Sequence, residues 1–128
     1  MYALAMIIDD SPLERFLGEI LIKNSGFARE VISFNSPIDA LTYFAQPETG
    51  GHILPDVIFV DIYMPMMNGF GFLDEYLKLP QAVQQYCKVV MISSTRSPED
   101  YAEMKKYPAI RAFLSKPLSE GALRGLVL

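Results

Sequence analysis

The chain has 128 residues, of which 51% are hydrophobic and 20% charged, and its formal net charge is -4. That length fits one domain, residues 1–128, with a sizeable core, and the composition excludes a disordered chain. The acidic balance argues against nucleic acid and against an anionic membrane surface as direct partners, because clustered Lys and Arg hold both.

No apolar run approaches the roughly 18 residues that a bilayer span needs. The lone Cys87 excludes an intrachain disulfide and a Cys-rich zinc site. Beside the run Val89-Val90-Met91-Ile92 it reads as a structural thiol. The N-terminus lacks the basic region of a signal peptide, so a reducing, cytoplasmic setting is expected.

Short apolar runs alternate with longer amphipathic stretches. The first run, Ala3 to Ile8, reads as a buried strand. Ser11-Pro12-Leu13-Glu14 then opens a helix as a capping box with proline at its first position. Leu13, Phe16, Leu17, Ile20 and Leu21 follow as a single apolar stripe, and Asn24-Ser25-Gly26 ends the helix. Arg29 to Phe34 is a second strand. Ser36-Pro37-Ile38-Asp39 starts a second helix with Ile38, Leu41 and Phe44 on its inner face.

The single histidine, His52, reads as a solvated loop residue. Val57 to Val60 is a third strand, and a third helix from Asn68-Gly69 carries Phe72, Leu73, Tyr76 and Leu77. Val89 to Ile92 is a fourth strand. Ser97-Pro98-Glu99-Asp100 opens a fourth helix with Tyr101 and Met104 inside. Ile110 to Leu114 is a fifth strand. A last helix follows Lys116-Pro117 through Leu118, Ala122 and Leu123, weakened by Gly121 and Gly125. The three Ser-Pro pairs sit at helix starts, so capping explains them better than phosphorylation.

Five strands alternating with five helices predict an α/β domain with a parallel sheet. Ligands of such sheets bind beyond the carboxyl ends of the strands. Those ends carry Asp9 and Asp10, then Asp61, then Ser93-Ser94-Thr95, then Ser115-Lys116. Each group has an ordinary reading alone: helix-start acids, a turn residue, loop hydroxyls, a solvated lysine. Their shared position at one rim favours a site. Converging carboxylates repel unless a cation intervenes, and an all-oxygen set suits Mg²⁺. A carboxylate can attack phosphorus, with the ammonium of Lys116 and the hydroxyl of Ser93 on other phosphoryl oxygens.

These residues resemble the receiver domain of two-component response regulators. The resemblance rests on Ile7-Ile8-Asp9-Asp10-Ser11, on Pro55 to Pro65 with Asn68-Gly69, on Met91-Ile92-Ser93-Ser94, and on Phe113-Leu114-Ser115-Lys116-Pro117. It implies a flavodoxin-like (βα)5 three-layer sandwich with strand order 2-1-3-4-5, as in chemotaxis regulators. It implies Asp61 as phosphoacceptor, Asp9, Asp10, Asp61 and the Tyr63 backbone carbonyl as Mg²⁺ ligands, and Asp10 as the more direct ligand of the acidic pair. It further implies Lys116 as the charge partner, a cis bond before Pro117, and Ser93 and Phe113 as the switch pair.

Implied partners are a sensor histidine kinase or histidine phosphotransfer protein, and a downstream protein target or fused output domain. A phosphorylation-dependent homodimer is compatible with the family. The chain reads as a switch that catalyses its own phosphotransfer and dephosphorylation rather than as a turnover enzyme. It is either a stand-alone receiver or a fragment of a larger regulator.

Three positions depart from the usual pattern. Ser93 stands where Thr is more frequent, and Phe113 where Tyr is frequent. Tyr63 is bulky where small polar residues are common, and is expected to narrow access to Asp61 and slow loss of the phosphoryl group. Three rivals fit less well. A haloacid-dehalogenase-type phosphatase wants an acid at the position of Tyr63. A flavin- or nucleotide-binding module would meet repulsion from Asp9-Asp10. A degenerate receiver would not keep the full acidic set and Lys116.

Overall fold

In a computed structural model, residues 1–46, 53–94 and 97–128 are described; His52 and Thr95 lie outside them. The elements run β1 (Tyr2–Ile8), α1 (Pro12–Asn24), β2 (Ala28–Phe34), α2 (Pro37–Phe44), β3 (Val57–Asp61), α3 (Gly69–Tyr76), α4 (Gln81–Tyr86), β4 (Lys88–Ser93), α5 (Pro98–Met104), β5 (Ile110–Ser115) and α6 (Glu120–Arg124). The strands form one parallel sheet in the order β2-β1-β3-β4-β5, as expected. No helix among the described residues is long and apolar enough to cross a membrane.

Alternation along the strands divides the core between two layers. Met6, Ile8, Ile58, Val60 and Met91 pack with Phe44, Phe72, Leu73, Tyr76 and Val83 beneath α2, α3 and α4. Ala5, Ile7, Phe59, Val90 and Ile92 pack with Ile22 of α1 and Leu123 of α6 on the other face. Cys87 is free and buried in the first layer. Burial pushes its thiol up to about 11, which fits the structural reading.

The Ser-Pro motifs act as caps. Ser11, Ser36 and Ser97 each accept a hydrogen bond from the backbone N–H three residues on, at 3.3, 3.2 and 3.1 Å. Asn68 does the same for α3, accepting from Gly71 at 2.8 Å. The glycine after it answers a close approach. A Cβ on Gly69 would stand 2.6 Å from the carbonyl oxygen of Asp61, and the Gly69 N–H donates to the carbonyl of Ile62 at 2.8 Å. The Asn-Gly pair therefore starts α3 hard against the end of β3, where Asp61 sits.

Four details differ from the sequence reading. First, the stripe of α1 faces outward: Leu13, Phe16, Leu17 and Ile20 are 42% to 62% exposed. The helix meets the sheet through Gly18 and Ile22 instead, and a Cβ on Gly18 would come within 3.0 Å of Ile7. Periodicity marks an apolar face but not which neighbour it meets. Second, Ile38, Leu77 and Tyr101 lie partly exposed on or beside short helices. Third, α4 is a sixth helix, in the stretch Pro80 to Cys87 where few apolar residues signal it. Fourth, the last helix starts only after its cap Ser119 and stops at Gly125.

The orientation of α1 separates two substitutions that periodicity would treat alike. Ile22→Ala should cost about 2–5 kcal/mol as a core truncation. Phe16→Ala should stay within about 0.5 kcal/mol, as at an ordinary surface position. Urea unfolding of both variants measures this, and equal losses would contradict the placement.

Candidate functional site

The acids converge because their strands are neighbours. Ile8 of β1 pairs with Val60 of β3, so Asp9 and Asp61 are the next residues along adjacent strands. Asp9 is 1% exposed and Asp61 5%, while Asp10 is exposed. One carboxylate oxygen from each of Asp9, Asp10 and Asp61 falls within 4.8 Å of the other two.

Lys116 enters from the end of β5. Its Nζ lies 2.6 Å from Asp9 Oδ2 and 3.2 Å from Asp61 Oδ2, and its side chain is 12% exposed. Its backbone N–H donates to the carbonyl of Ser93 at 2.9 Å, which fixes the end of β5 to the end of β4. The following Lys116-Pro117 bond is cis, as the resemblance implied. Ser93 is fully buried at the end of β4, one residue beyond Ile92, the register partner of Asp61.

Asp9 serves two purposes at once. Its Oδ1 accepts from the Ser11 N–H at 3.0 Å, the helix-start role, while its Oδ2 takes Lys116. The guanidinium of Arg15 donates to the Asp9 backbone carbonyl at 2.8 Å. Sequence reading missed Arg15, since a surface arginine one turn into a helix carries no signal of its own. Asp61 Oδ1 accepts a long bond of 3.4 Å from the Tyr63 N–H. Asp56, at the opposite end of β3, binds the N–H groups of Ala3 and Leu4 at 2.9 and 3.0 Å and so belongs to the fold.

The electrostatics follow from burial and proximity. Burial raises the Asp61 carboxyl above its ordinary value; the charge of Lys116 opposes this and that of Asp9 adds to it. Burial alone would lower Lys116, but its hydrogen bond to Asp9 and the charges of Asp61 and Asp9 outweigh that and raise it. The ammonium is held firmly charged, and three carboxylates against one ammonium leave the cluster with an excess of negative charge. An all-carboxylate oxygen set of this spacing can hold a hard metal ion.

Phe113 is half-buried on β5 and packs against the first core layer. Its ring meets that of Tyr101 on α5, with centroids 5.4 Å apart. Tyr63 is 49% exposed, and its hydroxyl donates to the Asp100 carboxylate in the first turn of α5. That contact joins residues 37 apart in sequence and had no sequence signal.

Comparison with known proteins places the chain. Residues 5–128 match the response regulator receiver domain family. The protein PilG of Pseudomonas aeruginosa is 32% identical over 122 residues, covering 95% of this chain and 82% of PilG. A response regulator receiver protein from Dyadobacter fermentans has a solved structure that is 35% identical, with a TM-score of 0.83 over 95% of this chain and 92% of its own. The sensory/regulatory protein RpfC of Xanthomonas campestris is 27% identical over 113 residues, but this chain spans only 14% of its length. The chain belongs to the response regulator receiver domain family of two-component systems.

Proposed function

We propose that the chain is a phosphorylation-controlled switch in which Asp61 accepts a phosphoryl group from a phosphohistidine on a sensor histidine kinase or histidine phosphotransfer protein. The observation that carries this reading is the meeting of Asp9, Asp10, Asp61 and Lys116 at one rim of the sheet.

A carboxylate oxygen of Asp61 attacks phosphorus in line. The bond from phosphorus to the histidine nitrogen breaks, and the imidazole leaves with its electron pair. Water later hydrolyses the acyl phosphate and restores the carboxylate. Lys116 already touches Asp61 and neutralises one phosphoryl oxygen, and Ser93 donates to another. Asp9, Asp10, Asp61 and the Tyr63 carbonyl would hold Mg²⁺, whose bound charge would offset that of the phosphoryl oxygens. The domain thus catalyses its own phosphotransfer and dephosphorylation without being a turnover enzyme.

Ser93 moving toward the phosphoryl group, with repacking of Phe113 against Tyr101, would carry the change to the face formed by α5, β5 and α6. A downstream protein target, a fused output domain or a second copy would read that face. The exposed stripe of α1, beside Asp9 and Lys116, offers an apolar surface for a helical phosphodonor. Such partners place the reaction in the cytoplasm.

Incubation with acetyl phosphate and Mg²⁺, followed by intact-mass measurement, tests the central step. The native chain should gain one phosphoryl group and Asp61→Asn none. No gain in the native chain, or an equal gain in the variant, contradicts the reading.

Asp10 supports a second prediction, because the ion pairs of Lys116 go to Asp9 and Asp61. In chelator, Asp10→Asn should melt no lower than the native chain, since losing one of three converging charges eases their repulsion. Mg²⁺ at 100 times its dissociation constant should stabilise the native chain by about 2.7 kcal/mol and the variant by far less. Equal shifts in thermal melting would remove Asp10 from the ligand set.

A further inference from the structure

The contact between Tyr63 and Asp100 lies outside the phosphoryl-binding set yet starts two residues from Asp61. The phenol reaches from the loop after β3 to the first turn of α5, across the rim where β3 and β4 end side by side. Tyr63 is tied at both ends: its N–H donates to Asp61, and its hydroxyl to Asp100.

The anchor is itself held in place. The Asp100 N–H donates to the capping hydroxyl of Ser97 at 3.1 Å, so its backbone serves the cap and its carboxylate is left to take the phenol. The next residue, Tyr101, seats the same turn on Phe113. A half-exposed tyrosine would otherwise sample several rotamers.

We propose that Asp100 is a positioning residue that pins the Tyr63 ring over the approach to Asp61 and thereby restricts entry of small phosphodonors and of water. This rests on the proposed phosphoacceptor role of Asp61. The ring acts as a partial screen: a large partner that docks on the surface can displace it, whereas a small molecule arriving from solvent has no contact energy with which to break the tether. Asp100 selects between donors without touching the phosphoryl group.

The hydrogen bond, not the charge, is the operative feature. Three substitutions separate the two. Asp100→Ala removes the acceptor, Tyr63→Phe keeps the ring and removes the donor, and Asp100→Asn removes the charge but keeps an acceptor oxygen. None disturbs the cap, which uses only the Asp100 backbone.

The experiment measures, by intact mass and Mg²⁺-dependent phosphate release, the rate of phosphorylation by acetyl phosphate and the rate of hydrolysis afterwards. Asp100→Ala and Tyr63→Phe should each raise both rates by about three- to tenfold, the scale of one net hydrogen bond. The double variant should show no further increase, since both changes cut one tether. Asp100→Asn should stay near the native rates. Unchanged rates in Asp100→Ala, additive effects in the double variant, or Asp100→Asn behaving like Asp100→Ala would each overturn the proposal while leaving Asp61 as acceptor. No phosphorylation of the native chain would overturn the acceptor reading itself, and this proposal with it.

Discussion

One buried ammonium among too many carboxylates governs this molecule. Lys116 sits between Asp9 and Asp61, with Asp10 close by, at a rim where the first three are largely shielded from water. Removing charges from water is costly, and mutual attraction offsets that cost only with close, hydrogen-bonded geometry. Lys116 meets this condition with both partners. The cluster still keeps an excess of negative charge, and burial drives the Asp61 carboxyl upward in spite of the lysine. A site in that state favours an arriving cation, and its all-oxygen set suits a hard divalent ion.

The surrounding architecture serves to hold that imbalance in place. Parallel register sets Asp9 beside Asp61, and the bond from the Lys116 N–H to the Ser93 carbonyl brings the lysine in from the sheet edge. Gly69 lets α3 begin against the Asp61 backbone, where any Cβ would clash. Arg15 steadies the Asp9 peptide from α1. Beyond the rim, α5 connects two contacts that run in different directions, Asp100 to Tyr63 and Tyr101 to Phe113. On the proposed reading, one limits access to the acceptor and the other relays its state.

Much of this was legible in the residues. The central strands β1, β3 and β4 are apolar runs buried on both faces, and such runs carry no competing pattern. The Ser-Pro caps were readable because the serine hydroxyl and the proline ring each suit one helix position. Asp9, Asp10, Asp61 and Lys116 could be grouped because each follows a strand, and a parallel sheet brings strand ends together. What could not be read depends on packing between elements. The stripe Leu13, Phe16, Leu17 and Ile20 marks a face of α1, but the small Gly18 decides that the opposite face meets the sheet. Nothing in the composition of Gln81 to Tyr86 announces α4. The Tyr63–Asp100 bond depends on the path of the loop after β3 and on where the first turn of α5 comes to rest, which local sequence leaves open.

The account stands or falls on where a divalent cation goes. A crystal grown with Mn²⁺ in place of Mg²⁺, with anomalous scattering recorded, locates it directly. The account predicts one strong peak within coordination distance of Asp9, Asp10 and Asp61 and of the Tyr63 carbonyl. A peak elsewhere, or none with Lys116 still bonded to both acids, would contradict it.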